Sequence, residues 1–160
     1  MPKEKIIDLL YELMKNSKRS DRELAKVIDA SQPTITRMRK GLERLNLIRE
    51  YTVLPALEKL GFEIVAFNFV SAGALPQESV KSSLAWVSEN PKILFSSSGA
   101  GLGGKTLLLV SIHKDFSSFS EFSRDLRDAL GGKVSSMESF LVSLKTDVIK
   151  HFSFKGLERI

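Results

Sequence analysis

The chain has 160 residues, enough for one ordinary domain or two small ones, and its 42% hydrophobic and 27% charged residues are the balance of a globular protein, not a disordered one. It has no cysteine, which excludes disulfides, thiolate nucleophiles and thiolate metal sites, and its two histidines, His113 and His151, stand far apart in sequence. Net charge is +5, and residues 1–60 hold 13 Lys and Arg against 9 Asp and Glu while residues 61–160 hold 11 against 10, so the positive excess sits in the N-terminal part, as phosphate binding there would require.

No apolar run approaches the ~20 residues of a membrane span, and residues 1–20 lack the core of a signal peptide. A cytoplasmic protein with no membrane partner, no metal and no cofactor is expected.

Residues 4–16 read as a first helix, with Ile6, Ile7, Leu10, Leu13 and Met14 on a broad apolar stripe. A polar turn, Asn16 to Arg19, follows, and Lys18 and Arg19 fall near the start of the next helix, where phosphate contacts are common. Ser20 and Glu23 form a capping-box pattern opening a short helix whose Leu24, Val27 and Ile28 face one way. Asp29-Ala30 then leads into a second cap, Ser31, with Pro33 in the first turn, where its missing N–H costs nothing.

The third helix, Ser31 to Leu45, is expected to bury Ile35, Met38, Leu42 and Leu45. Its opposite side carries Thr36, Arg37, Lys40 and Arg44, with Glu43 toward the flank. Arg and Lys meet phosphates and guanine edges in a major groove, and Thr meets phosphates or a thymine methyl. A basic helix face alone is more often simply solvated. Two capped helices joined by a tight turn, the second of them basic, instead make a helix-turn-helix.

Asn46 stands where a helix often ends in a left-handed residue. Leu47 to Val53 reads as extended and would be the wing of a winged helix-turn-helix, with Arg49 against the DNA backbone. A linker is placed at residues 52–62, after a DNA-binding domain of residues 1–51.

Residues 63–150 read as strand, helix, strand, strand, helix, strand. The strands are expected over 63–71, 92–98, 106–113 and 134–146. One helix is expected from Pro76 to Asn90, with Val80, Leu84 and Val87 inward, and another over 116–130, with Phe119, Phe122, Leu126 and Leu130 aligned. This is the βαββαβ, ferredoxin-like pattern, an antiparallel sheet with both helices on one face, and the fold class is α+β. A sheet open on one face should alternate polar and apolar, yet the first strand has Val65, Phe67 and Phe69 on one side and Ile64, Ala66 and Val70 on the other, and Leu107 to Val110 is a continuous apolar run. A second subunit is expected to cover the open face; the alternative is the tail, residues 151–160, folding back through Phe152, Phe154 and Leu157. Trp86, off its helix's stripe among Ser79, Ser82 and Ser83, marks either a subunit contact or a half-buried helix flank.

Gly99 to Thr106 satisfies the phosphate-loop pattern G-x-x-x-x-G-K-T. That chemistry needs a helix directly after Lys105-Thr106, whose amides hold the phosphate, and the sequence there is the strand-like LLLVSI. A glycine-rich hairpin is expected.

The stretch Ser20 to Lys26, with Ser31, Thr34, Arg37, Leu42-Glu43, Leu47-Ile48, Tyr51 and Leu60-Gly61, resembles the Lrp/AsnC, or feast/famine, transcription regulators, and the resemblance covers nearly the whole chain. It implies a winged DNA-binding domain and a ferredoxin-like domain that forms dimers, often octamers, and that in many members binds a small effector, usually an amino acid. Gly99 matches the glycine of the family's effector loop; Gly101, Gly103 and Gly104 join it as effector-binding candidates, although the acidic residue that usually follows gives way to the glycine insertion and Lys105-Thr106.

The reading is therefore a sequence-specific regulator of double-stranded DNA, acting as a dimer or higher oligomer, and not an enzyme. Thr36, Arg37 and Lys40 are assigned to bases, and Lys18, Arg19, Ser20, Ser31, Gln32, Thr34, Arg44 and Arg49 to the surrounding phosphates. The rivals are a non-specific architectural DNA coater and a tetrapyrrole decarboxylase of the siroheme type, which resembles this two-domain architecture.

Overall fold

The computed structural model describes residues 2–72, 77–131, 134–146 and 148–157. They fall into two units, one running up to Pro55 and joined by the segment from Lys150 onward, the other running from Ala56 to Ile149.

The first unit is three helices: α1 (Pro2–Lys15), α2 (Asp21–Ile28) and α3 (Gln32–Arg44). They close on Leu9, Leu13, Leu24, Ile28, Ile35 and Leu42, with Ile6, Leu10, Met38 and Ile48 packed partly against them. Each such aliphatic side chain stabilises the unit by about 1.5–3 kcal/mol relative to leaving it in water. Leu9, outside the set expected from the α1 spacing, is fully buried. Two expected core residues are outside: Val27 is 56% exposed and Leu45 61%. Eight-residue α2 offers its neighbours only one narrow i, i+4 strip, Leu24 and Ile28, and Leu45 is a C-cap where the helix has already ended.

Local chemistry sets the helix ends. Ser20 and Glu23 form the full capping box, and Ser31 accepts from the Thr34 N–H. Between them Asp29 takes a left-handed φ of 52°, and the Ala30 N–H returns to the Ala25 carbonyl. After α3, Asn46 is left-handed at φ 53°, with the Asn46 N–H on Glu43 O and the Leu47 N–H on Leu42 O, the Schellman closure. The stretch expected as a wing strand, Leu47 to Val53, has no strand partner among the described residues; all four strands belong to the second unit. A lone extended segment has no ladder to join, so it runs past α3 unpaired.

The second unit opens with a 3-10 turn, Leu57–Leu60, and continues through β1 (Ile64–Ala72), α4 (Gln77–Glu89), β2 (Ile93–Gly101), β3 (Lys105–His113), α5 (Phe116–Ala129) and β4 (Val134–Ser143). The sheet order is β2-β3-β1-β4, antiparallel throughout, the ferredoxin-like arrangement. Pro76, the expected start of α4, lies outside the described residues. β2 runs on to Gly101, past the expected end at Ser98, because its hairpin keeps pairing with β3; β4 stops at Ser143, short of Thr146.

Val70 and Leu109 meet Val87, Phe122, Leu126 and Leu130 on the helix-covered face. On α4 the inward side runs through Ser83, Trp86 and Val87, and Leu84, expected inside, is 61% exposed. Ser83 can be buried because its hydroxyl donates to the Ala129 carbonyl at 2.7 Å, which ties α4 to the end of α5. Trp86 packs with its ring 6.0 Å from that of Phe122, so it is a flank of the core. The opposite face carries one apolar row across all four strands, Phe95, Val110, Phe67 and Phe140, in register. Its two ends, Phe95 and Phe140, are 54% and 67% exposed. The tail groups with the helices and not with the sheet: Leu157 lines a hollow with Tyr11, Val27 and Ile28.

Candidate nucleic-acid interface and glycine hairpin

Burying Ile35 and Leu42 on one side of α3 fixes which residues face outward. Gln32, Thr36, Arg37, Lys40 and Arg44 are all exposed, and from Thr36 through Lys40 and Arg44 to Arg37 the arc spans about 100° at helical spacing. The side chains of Gln32, Arg37, Lys40 and Arg44 make no hydrogen bond or ion pair among the described residues, nor do those of Lys18 and Arg49. A cationic arc of free donors can meet a phosphate-lined groove without first breaking internal bonds.

Other candidates are committed internally. Arg19 is half-buried and pairs with Glu12, which also takes Lys15, so its charge is turned toward α1. The two cations hold the Glu12 carboxyl below the usual carboxylate range, Lys15 foremost, against the opposite effect of burial. The Ser20 hydroxyl donates to Glu23 at 2.7 Å within the capping box, and the Ser31 hydroxyl shares a 2.8 Å bond with that of Thr34. These three hydroxyls position helix starts, and the Ser20 and Thr34 N–H groups are held in the same caps, by Glu23 and Ser31.

Sequence reasoning missed Arg39. It lies on the flank of α3 and donates from Nε and Nη2 to Asp21 Oδ1, at 3.1 and 2.8 Å, while Thr36 Oγ1 donates to Asp21 Oδ2 at 2.6 Å. Asp21 is thereby held below the usual carboxylate range, first by the Thr36 hydroxyl and then by Arg39, against its partial burial. On the same flank Tyr51 donates to Glu43 at 2.8 Å, pinning the segment after α3 to the helix. Helical spacing put Arg39 off the basic arc, but a partner eighteen residues earlier in the chain leaves no periodic trace.

The glycine stretch is a hairpin joining β2 to β3, with Gly101 opposite Lys105, and no helix follows Lys105-Thr106. Gly103 and Gly104 adopt left-handed φ values of 67° and 82°, which a side chain would strain. Lys105, the residue a phosphate loop would aim at its nucleotide, is instead buried and donates to Ser136 and Glu138 on β4. Beside it is a shallow hollow of about 180 Å³ lined by Phe69, Gly99, Ala100, Leu102 and Leu108. Of the four glycine candidates, Gly99 and Gly101 line the hollow directly. Gly103 and Gly104 make the turn beside it.

His113 is buried in the second unit, whereas His151 groups with the helices. Among the described residues no three His, Asp or Glu gather to hold a metal, and no helix is long and apolar enough to cross a membrane.

No family model matches the chain. Over 56 residues it is 34% identical to an uncharacterised HTH-type transcriptional regulator of Pyrococcus horikoshii, PH0061, and 36% identical to one of Pyrococcus abyssi, PYRAB00690; each match spans 35% of this chain and 38% of the relative. The chain thus matches well under half the length of these curated relatives. The crystal structure of PH0061 superposes with a TM-score of 0.77, at 19% identity over 93% of this chain and 95% of that one. A transcriptional regulator of Neisseria meningitidis, NMB0573 in complex with L-Met, gives 0.76 at 26% identity, covering 92% and 91%. An AsnC family regulator of Agrobacterium tumefaciens gives 0.78 at 18%, covering 96% and 98%. Through more than nine-tenths of its length, the chain has the fold of the Lrp/AsnC transcription regulators.

Proposed function

We propose that the protein is a sequence-specific DNA-binding transcription regulator. The observation that carries this is the exposed arc Thr36, Arg37, Lys40 and Arg44 on a helix whose other side is locked into a three-helix core. Arg37 and Lys40 reach base edges in the major groove; Lys18, Arg44 and Arg49 meet the flanking phosphates, with the Ser31 backbone and Gln32 at the α3 start beside them, while Ser20 and Thr34 hold the helix starts in place.

The protein acts as a dimer or higher oligomer. The in-register row Phe95, Val110, Phe67 and Phe140 supports this, because a second copy would remove its exposed aromatic ends from water. Two recognition helices then require a rough inverted repeat, with half-sites about 34 Å or a multiple apart. A small-molecule effector is assigned to the hollow beside the Gly99–Gly104 hairpin; NMB0573, which shares the fold, is a complex with L-Met.

The test is selection of bound fragments from a random DNA pool by the purified protein at fixed physiological salt. Enrichment of one two-fold-related site is the expected result. Uniform, salt-sensitive binding would replace this reading with that of a non-specific coater. Absence of binding would remove DNA from the function altogether.

A further inference from the structure

Thr36 stands at one edge of the exposed arc of α3, and its hydroxyl is turned along the flank of the helix toward Asp21 on α2. Oγ1 lies 2.6 Å from Asp21 Oδ2 and 3.2 Å from the Gln32 carbonyl oxygen. A hydroxyl has one proton to donate, and the shorter, charge-assisted bond to the carboxylate takes it. With that proton spent, Thr36 offers a facing groove its methyl group and an oxygen that can accept but not donate.

Asp21 is itself secured. Arg39 donates to its other oxygen from two nitrogens, and both side chains are only about one-fifth exposed, 21% and 20%. Arg39 also neutralises a carboxylate that would otherwise stand beside the recognition helix and repel phosphates. Three residues from two helices therefore fix a single Thr rotamer, with a β-branched side chain that is stiff at χ1 to begin with.

Resting on the reading of the protein as a sequence-specific regulator, we infer that Thr36 reads DNA through its methyl group, against the C5-methyl of a thymine, and that Asp21 is the positioning residue which withdraws its hydroxyl. The major-groove edge of a T·A pair is the one that presents such a methyl. Arg37 and Lys40 supply charge and hydrogen bonds to neighbouring bases, and the Thr36 contact adds apolar discrimination at one position per half-site.

Replacing each thymine of the selected site in turn by deoxyuridine removes one methyl and changes no hydrogen-bonding group, so folding of the protein is untouched. Wild-type affinity is expected to fall about three- to fivefold at one thymine in each half-site, the scale of one buried methyl. Thr36→Val, which keeps the methyl, should retain that sensitivity, and Thr36→Ser, which loses it, should bind thymine and deoxyuridine sites equally. Asp21→Ala, which leaves the hydroxyl only the longer, uncharged bond to the Gln32 carbonyl, should weaken the discrimination while Arg37 and Lys40 still bind.

Specific binding that is indifferent to every thymine methyl would overturn the inference and leave the regulator standing. Discrimination kept by Thr36→Ser and lost by Thr36→Val would assign the reading to the hydroxyl and overturn it equally. If the pool yields no preferred site, the regulator reading itself falls, and this inference with it.

Discussion

The Lys105 ammonium lies 2.7 Å from the Glu138 carboxylate, and the two ends of the pair are unlike: the lysine is 6% exposed and the glutamate 74%. Burial makes the cation depend on its partner, while water already serves the carboxylate. Glu138→Ala should therefore destabilise the sheet unit by about 1 kcal/mol, a figure discounted for the exposed partner. Lys105→Met, which removes the buried charge along with the bond, should cost less. Urea unfolding of both variants checks the order. Adding ATP should leave the wild-type midpoint unchanged, since the lysine is committed to β4.

His113 predicts a stability that depends on pH. Burial, with Lys92 nearby, lowers its pKa from 6.5 to about 4, so the folded sheet unit holds the ring neutral where the unfolded chain would protonate it. Between these values the unfolded state binds more protons, and stability must fall as the pH falls, by about 3 kcal/mol in all. The stabilisation is complete above pH 6.5 and lost on approaching pH 4. Urea titrations from pH 7 to 5, above the range in which the carboxylates titrate, should show this slope in the wild type and not in His113→Gln.

Arg37 has a free guanidinium on the exposed arc. If it reads a base, Arg37→Ala should lower specific affinity by ~1–3 kcal/mol and leave binding to unrelated DNA nearly unchanged. Titrations on the selected site and on scrambled DNA at one salt concentration measure both. An equal loss on the two would reduce Arg37 to a phosphate contact.

The open sheet face should govern assembly. Phe140 is 67% exposed at one end of the row it forms with Phe67, Val110 and Phe95. Phe140→Asp should cut the mass seen by light scattering to that of one chain without unfolding either unit. A wild type that already runs as a single chain would remove the oligomer from the proposal.

The helix ends give a prediction about stability alone. Ser20→Ala removes the capping-box hydroxyl and should cost about 1 kcal/mol. Asn46→Gly keeps the left-handed conformation without a side chain and should be neutral or slightly stabilising. Thermal melts of the two variants should move in opposite directions or differ by that amount.

Local signals carried a large part of this protein. Ser20, Glu23, Ser31 and Asn46 set helix ends by bonds that span three or four residues, so their spacing in the chain is their geometry. The alternation of strands and helices carries the ferredoxin-like order for the same reason, and LLLVSI after Lys105 leaves a phosphate loop no helix to follow it. Tertiary structure alone decided what those residues meet. It left Val27, Leu45 and Leu84 outside, because each helix buries only as much surface as its neighbours cover, and it gave Leu47 to Val53 no strand to pair with. It also brought Asp21 to Thr36 and Arg39, and Lys105 to Glu138. A hydrogen bond between residues fifteen or thirty-three positions apart has no period in sequence, and those bonds determine which polar groups on each face remain free to recognise anything else.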